Sequence, residues 1–450
     1  MARITLAQAA RWCGGTIDPK YADVSFFGAN NDSRKVEPGQ LFVALQGVRD
    51  GHDFIPMAIE KGAAAVLCTH CDGDYPAIVV EDTRIALGQI AREERNRLGM
   101  KVVGVTGSVG KSTTKEMVAS VLETTYRVAK TPANHNNDIG MPMAILSIPE
   151  NTEVAVLEMG MNHFREIAYL SSIGQPDVAV IINIGTMHIE HLGSKEGIRQ
   201  AKLEILEGLR PGGTILLNGD DEMLWPVRDE LKVPYVYFGA DNENCAVRAT
   251  DVKMDDSGLS LRVQTDKDEF AVSLALEGKH YVLDALAAIS AGVQLGVTSE
   301  RIVEALGSFR NMAGRQEIFE ANSFTIIKDC YNAGPESMAA ALAVLGKKPG
   351  RRIAVLGDML ELGKRAPAEH YRIGRIAAEQ ADMLFAYGPN SERVVSGAIT
   401  GGMDSVHALA FEDRQTLASA LKSCAKPGDV LLFKGSHGMH MELALEMFLA

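Results

Sequence analysis

Short continuous apolar runs, each closed by glycine or a charged residue, recur along the chain from residue 101 onward: "VVGVTG" at 102, "EVAVLEMG" at 153, "DVAVIINIG" at 177 and "GTILLNGDD" at 213. Runs that do not alternate with polar residues predict strands buried on both faces of a parallel sheet, and the stretches between them carry helical spacing. After "NMAGRQE" at 311 the pattern restarts with "FTIIKDC", "RRIAVLGDM", "MLFAYG" and "DVLLFKGS", separated by helical segments such as "ESMAAALAVLG". Before residue 98 the pieces are shorter, as in "DSRKVEPGQLFVAL", and end in the helical run "IALGQIAREERNRLG", which Gly99 closes. This predicts an α/β protein of three domains, at 1–98, 99–313 and 314–450. The glycine in "NMAGRQ" at 311–316 suits a hinge, so the third domain is expected to move.

Composition narrows the partners. A chain of 450 residues with 46% hydrophobic residues has material for several cores. Its formal net charge of −13 argues against binding nucleic acid or an anionic membrane, so an anionic ligand must be captured by local groups. No run is long enough to span a membrane, and "MARITLAQAARWCGG" lacks a secretory apolar core. The six cysteines show no framework spacing, which predicts a reducing, cytoplasmic setting. Cys68-Thr69-His70-Cys71 has the spacing of half a metal site but no second ligand pair, so spare thiols near a loop are the simpler account.

The candidate chemistry starts at "TGSVGKST". A strand followed by Gly107, Ser108, Val109 and Gly110, with a helix beginning near Lys111, would aim several backbone N–H groups at one anion. Lys111 would reach the outer phosphates of a nucleotide, and Ser112 or Thr113 would offer a hydroxyl to Mg²⁺. Val105 stands where the longer phosphate-loop motif has glycine, so the match is to a shorter form, and an ordinary glycine-rich turn is the competing reading. Glu158 and His188 follow apolar runs of the same sheet, at the carboxyl ends where ligands collect, although each alone would pass for a loop residue. Lys202 falls on the helical stripe of Ile198, Ile205, Leu206 and Leu209. It either turns inward, at a cost unless its charge is paired or removed, or lies along the apolar face with its ammonium in water.

Taken in order, "TGSVGKST", "NHNNDIGMP", "LEMGMNH", "NIGTMHIEHLG", "QAKLEI", "DCYNAGPESM", "LGDMLELG" and "KGSHGMHME" resemble the motifs of the Mur ligases, over nearly the whole chain. The resemblance implies a central phosphate-loop domain with a parallel sheet, a smaller N-terminal α/β domain and a C-terminal Rossmann-like α/β domain. It also implies an ATP-dependent ligase acting on the cytoplasmic peptidoglycan precursor, with ATP and Mg²⁺ as cofactors. "DSR" at 32–34 is shared by the tripeptide-forming and pentapeptide-forming members, while "DCYNAGPESM" looks like the latter, which take UDP-N-acetylmuramoyl-tripeptide and D-alanyl-D-alanine. By the same likeness Lys111 binds the ATP phosphates, and Ser112, Glu158 and His188 serve the metal. Lys202 matches a lysine that related ligases carbamylate, which would make it an anionic metal ligand. Ser33 and Arg34 hold the UDP end, Asn136 and Asn137 line the central site, and Arg315, Asp329 and Asn332 meet ATP from the third domain.

Some positions depart from the family pattern. Tyr281 and Asp284 stand where asparagines help to hold adenine, and His437 and His440 stand where arginine and lysine are usual. The alternatives are a sister ligase adding a diamino acid, a nucleotide-hydrolysing switch and, on account of Tyr281 and Asp284, a non-catalytic scaffold. A monomer is expected.

Overall fold

A computed structural model of the chain describes residues 3–255, 258–312 and 314–450; Ala313, the expected last residue of the second domain and part of the expected hinge, lies outside them. The central apolar runs pair into one nine-stranded sheet, ordered Glu269–Leu274, Gly258–Gln264, Val247–Asp255, Tyr235–Gly239, Thr214–Asn218, Val178–Ile181, Lys101–Thr106, Val154–Glu158, Val128–Lys130. Pairing is parallel from Val128–Lys130 through Val247–Asp255 and antiparallel beyond. Both faces of the middle strands are covered, so Val103, Val105, Val156, Val180 and Leu216 are wholly buried, as their unalternating sequence requires. One covering layer pairs helix Lys111–Glu123 with helix Tyr281–Gln294, through Val118, Val121, Ala285 and Ile289. The sheet thus brings the carboxyl ends of Lys101–Thr106, Val154–Glu158 and Val178–Ile181 side by side.

Downstream of the link, Phe324–Asp329, Val430–Lys434, Arg352–Gly357, Met383–Tyr387 and Ala408–Phe411 form a parallel sheet, edged by antiparallel Glu317–Ala321. At the link, Gly314 and Gln316 both take positive φ, +74° and +47°. Among the described residues no helix is long and apolar enough to cross a membrane. Cys68 is buried at the end of strand Ala65–Cys68 while Cys71 is exposed. Among the described residues, no three His, Cys, Asp or Glu side chains group as a metal cage.

The N-terminal segment has its own parallel sheet, Ala29–Asn30, Leu41–Val43, Ala65–Cys68 and Ala77–Val79. Its last helix, Thr83–Leu98, starts where the Asp82 carboxylate accepts the Arg84 and Ile85 N–H groups and stops at Gly99, which takes φ +66°. That helix buries Leu87, Ile90 and Ala91 in a core that continues through Met141, Ile145, Leu157 and Ile173 of the central unit. Arg95, with no exposed surface, fastens the seam: its Nε donates to the Gly174 carbonyl (3.0 Å) and its Nη2 to the Gln175 carbonyl (2.9 Å) and Asp177 Oδ2 (3.2 Å). Arg95→Ala would leave two carbonyls and a carboxylate short of donors. Because Asp177 keeps a third of its side chain in water, the expected loss is about 2 kcal/mol rather than the larger figure for a fully buried pair, measured as a lower urea midpoint.

Candidate active site

The strand Lys101–Thr106 ends in residues 107–110, and helix Lys111–Glu123 begins directly after them. Gly110 caps the helix at φ +84°, and a Cβ there would lie 2.7 Å from Asp284 Oδ1, so both backbone and space demand glycine. The loop is braced from below by Asn183, whose Oδ1 accepts the Ser108 and Val109 N–H groups (3.0 Å each) and whose Nδ2 donates to the Val109 carbonyl (3.0 Å). Lys111 curls over it, with Nζ donating to the carbonyls of Gly107 (2.8 Å) and Ser108 (3.3 Å). Burial lowers the Lys111 pKa, and the charge of Glu158 opposes that shift. Glu158, at the end of its strand and buried, accepts from Asn136 Nδ2 through Oε1 (2.8 Å), while its buried Oε2 has no partner among the described residues.

These groups open on a cavity of about 1310 Å³ between the central and C-terminal sheets, lined by residues 108–113, Asn136, Asn137, Glu158, His188, Arg315, Asp329 and Asn332. Most of the predicted site residues therefore meet in one place. Asn137 lines it but spends its Oδ1 on the N–H groups of Gly140 (2.7 Å) and Ile139 (3.3 Å), where the helix Gly140–Leu146 begins. His188 takes a positive φ of +62° and sets Nδ1 2.7 Å from Glu361 Oε2, in the loop after strand Arg352–Gly357 of the C-terminal unit; Glu361 is itself at φ +61°. From that side, Arg315 donates to Ser112 Oγ (2.8 Å) and stacks its guanidinium 3.9 Å over the Tyr331 ring. Asp329 Oδ2 and the Asn332 carbonyl both accept from the buried Lys434 (2.6 and 2.9 Å).

Lys202 resolves the choice left open by its helical stripe. It is 1% exposed near the end of helix Lys195–Leu203 and turns inward. Burial, with the neighbouring Lys111 charge, pushes its pKa well below the lysine range. It is not among the residues lining the cavity, and neither are Ser33 and Arg34. Ser33 is buried with its hydroxyl toward Met57, and exposed Arg34 pairs with Asp32 (2.9 Å).

Sequence reasoning assigned no role to Asn183, Tyr331, Glu336, Glu361 or Lys434. All sit inside the quoted motifs, but nothing in a string shows which way a side chain turns. Tyr281 and Asp284 are both buried; the Tyr281 hydroxyl accepts from Asn311 (2.6 Å) and Asp284 Oδ1 accepts from the Thr114 hydroxyl (2.7 Å). Asp284 thus stands beneath the phosphate loop. Burial pushes its carboxyl up to about 7, against the opposing pull of Thr114 and Arg315. A carboxyl raised on folding favours the fold fully below its unfolded pKa, and that contribution fades as pH rises through the folded one. Asp284→Asn keeps the Thr114 acceptor without the titration. Its Tm should therefore gain on the unsubstituted protein by several degrees between about pH 4 and about pH 8, since each tenfold difference in proton affinity between folded and unfolded chain is worth about 1.4 kcal/mol. A pH-independent difference in Tm would count against it.

The phosphate-loop sheet, the facing second sheet and the cavity between them define an ATP-dependent ligase architecture, and the chain belongs to the Mur ligase family. Three family models match: the Mur ligase middle domain at residues 105–292, the Mur ligase glutamate ligase domain at 314–437 and the Mur ligase family catalytic domain at 27–95. UDP-N-acetylmuramoyl-tripeptide–D-alanyl-D-alanine ligase of Bacillus subtilis strain 168 is 38% identical over 452 residues, covering 98% of this chain and 97% of its own. A crystal structure of MurF from Acinetobacter baumannii superposes with a TM-score of 0.92 at 32% identity, covering 100% of this chain and 99% of that one. MurF ligase from Thermotoga maritima in complex with ADP superposes at 0.82 and 31%, covering 94% and 97%.

Proposed function

We propose that this chain joins D-alanyl-D-alanine to UDP-N-acetylmuramoyl-tripeptide at the expense of ATP. The observation that carries the proposal is that Lys111 and Glu158 of the central unit, and Arg315 and Asn332 from the link and the C-terminal unit, line a single cavity, in a chain that matches ligases of that name from end to end. A free carboxylate is a poor acyl donor. The reaction therefore runs through phosphorylation of the tripeptide's terminal carboxylate, and the amine then displaces phosphate.

The N–H groups at the start of helix Lys111–Glu123 and the Lys111 ammonium bind the phosphates, and Arg315 with Asn332 grips the nucleotide from the opposite side, so residues of both units exclude water from the acyl phosphate. Ser33 and Arg34 hold the UDP end, and Asn136 orients Glu158. Magnesium fits the donors present: Glu158 has a buried carboxylate oxygen without a partner among the described residues, a hard oxygen of the kind this ion takes. Ser112, Glu158, His188 and a carbamylated Lys202 would hold it, and it would screen the charge on the transferring phosphoryl group. The protein works as a cytoplasmic monomer on this reading.

Phosphate release with ATP, D-alanyl-D-alanine and each muramoyl tripeptide in turn tests it. Turnover only with a free diamino acid and the dipeptide precursor would move the chain to the sister ligase, and ATP hydrolysis indifferent to any muramoyl compound would make it a switch.

A further inference from the structure

Glu336 is a carboxylate that the phosphate cradle does not use. It lies in the first turn of helix Pro335–Leu345 and lines the central cavity. One oxygen is fixed: Oε1 accepts from the Thr186 N–H (3.0 Å) and the Thr186 hydroxyl (2.9 Å) of the opposite unit. The other, Oε2, is buried with no partner among the described residues. Lys195, a cation that feels its charge, is already bonded to Glu222 (2.9 Å). A Cβ on Gly185 would lie 3.1 Å from both Glu336 Cδ and Ser108 Cβ, so this carboxylate meets the phosphate loop across a single glycine. An ionised oxygen stripped of water and left without a donor is costly. What it lacks is a cationic N–H donor, at the mouth of the cradle and on the side contributed by the C-terminal unit.

We infer that Glu336 Oε2 receives the amino group of the acceptor dipeptide. The assignment rests on the ligase reading above. The ammonium docks on Oε2 and gives it one proton. The freed lone pair then forms the C–N bond to the acyl carbon as the C–O bond to phosphate breaks, and a second N–H proton leaves with the phosphate. Thr186 holds the carboxylate at a fixed reach while this happens.

Glu336→Gln keeps the shape and an oxygen for Thr186 but removes the charge. Steady-state constants are measured for D-alanyl-D-alanine and ATP, and in parallel the activated tripeptide is trapped with hydroxylamine, a nucleophile uncharged at neutral pH that needs no anion to dock. The expected result is a dipeptide kcat/KM lower by roughly 30-fold or more, the scale of a charge-assisted hydrogen bond, with the ATP KM and the hydroxamate yield within about threefold, the scatter expected of an untouched interaction. Hydroxamate formation also shows that the variant folds. Dipeptide ligation that stays within the same margin overturns the assignment. So does a parallel fall in hydroxamate, which would make Glu336 a metal ligand or a brace for the Thr186 loop. Failure of the unsubstituted protein to ligate D-alanyl-D-alanine, with hydroxamate still formed, would overturn the proposed function itself and this assignment with it.

Discussion

Lys111→Ala is expected to lower ligation by about a thousandfold or more while leaving the fold intact. The lysine's hydrogen bonds go to two backbone carbonyls of the loop, those of Gly107 and Ser108, and its removal relieves a buried charge, so the two effects on stability oppose each other. With nucleotide bound, its ammonium faces several phosphate oxygens, and its interaction strengthens as charge gathers on the transferring group. Deleting a single donor of this kind typically costs ~10²–10³ in turnover, and a full charge aimed at a phosphoryl group reaches the upper end. Turnover within tenfold of the unsubstituted protein, with Tm unchanged, would mean that the loop carries the phosphates without it.

Lys202→Ala should be inactive to a similar degree and partly rescued by formate or acetate. A buried amine with a lowered pKa and a second lysine beside it gives up its proton more readily than a free lysine, and an unprotonated amine is the form that adds carbon dioxide. The carbamate so formed is an anion, which removes the cost of placing Lys202 next to Lys111 and adds a hard oxygen ligand. A small carboxylate diffusing into the space left by the alanine would replace that oxygen. An intact mass without the added carbon dioxide, combined with near-normal turnover of the variant, would reduce Lys202 to a packing residue.

The parallel strands were legible because burial on both faces writes an unbroken apolar run, as in residues 178–181. The antiparallel extension was not: Gly258–Gln264 and Glu269–Leu274 mix buried and exposed positions along their length and carry no such run. At the site, glycine spacing and strand ends pointed to Lys111, Glu158 and His188, because those signals are local. Glu336 and Asn183 were hidden for the opposite reason. Their importance lies in contacts to Thr186, Ser108 and Val109, residues brought near them only by the fold. Asp284 was visible only as a departure, and its place under Gly110 could not have been guessed from the adenine role of the asparagine it replaces.

The seam closed by Arg95 joins the N-terminal and central sheets, so any large relative motion is expected elsewhere, around the 311–316 link. If the nucleotide end of the precursor is gripped near Ser33 and Arg34, the span from that grip to Lys111 is a fixed gauge. Each extended residue contributes about 3.5 Å of reach, so a precursor one amino acid short would hold its carboxylate that far from the phosphate cradle, and no swing of the C-terminal unit could close the gap. Selection for a tripeptide over a dipeptide would then reside in the rigidity of a joint far from the chemistry. Loosening it, as Arg95→Ala does, should blur the choice of peptide length before it affects the rate on the correct one.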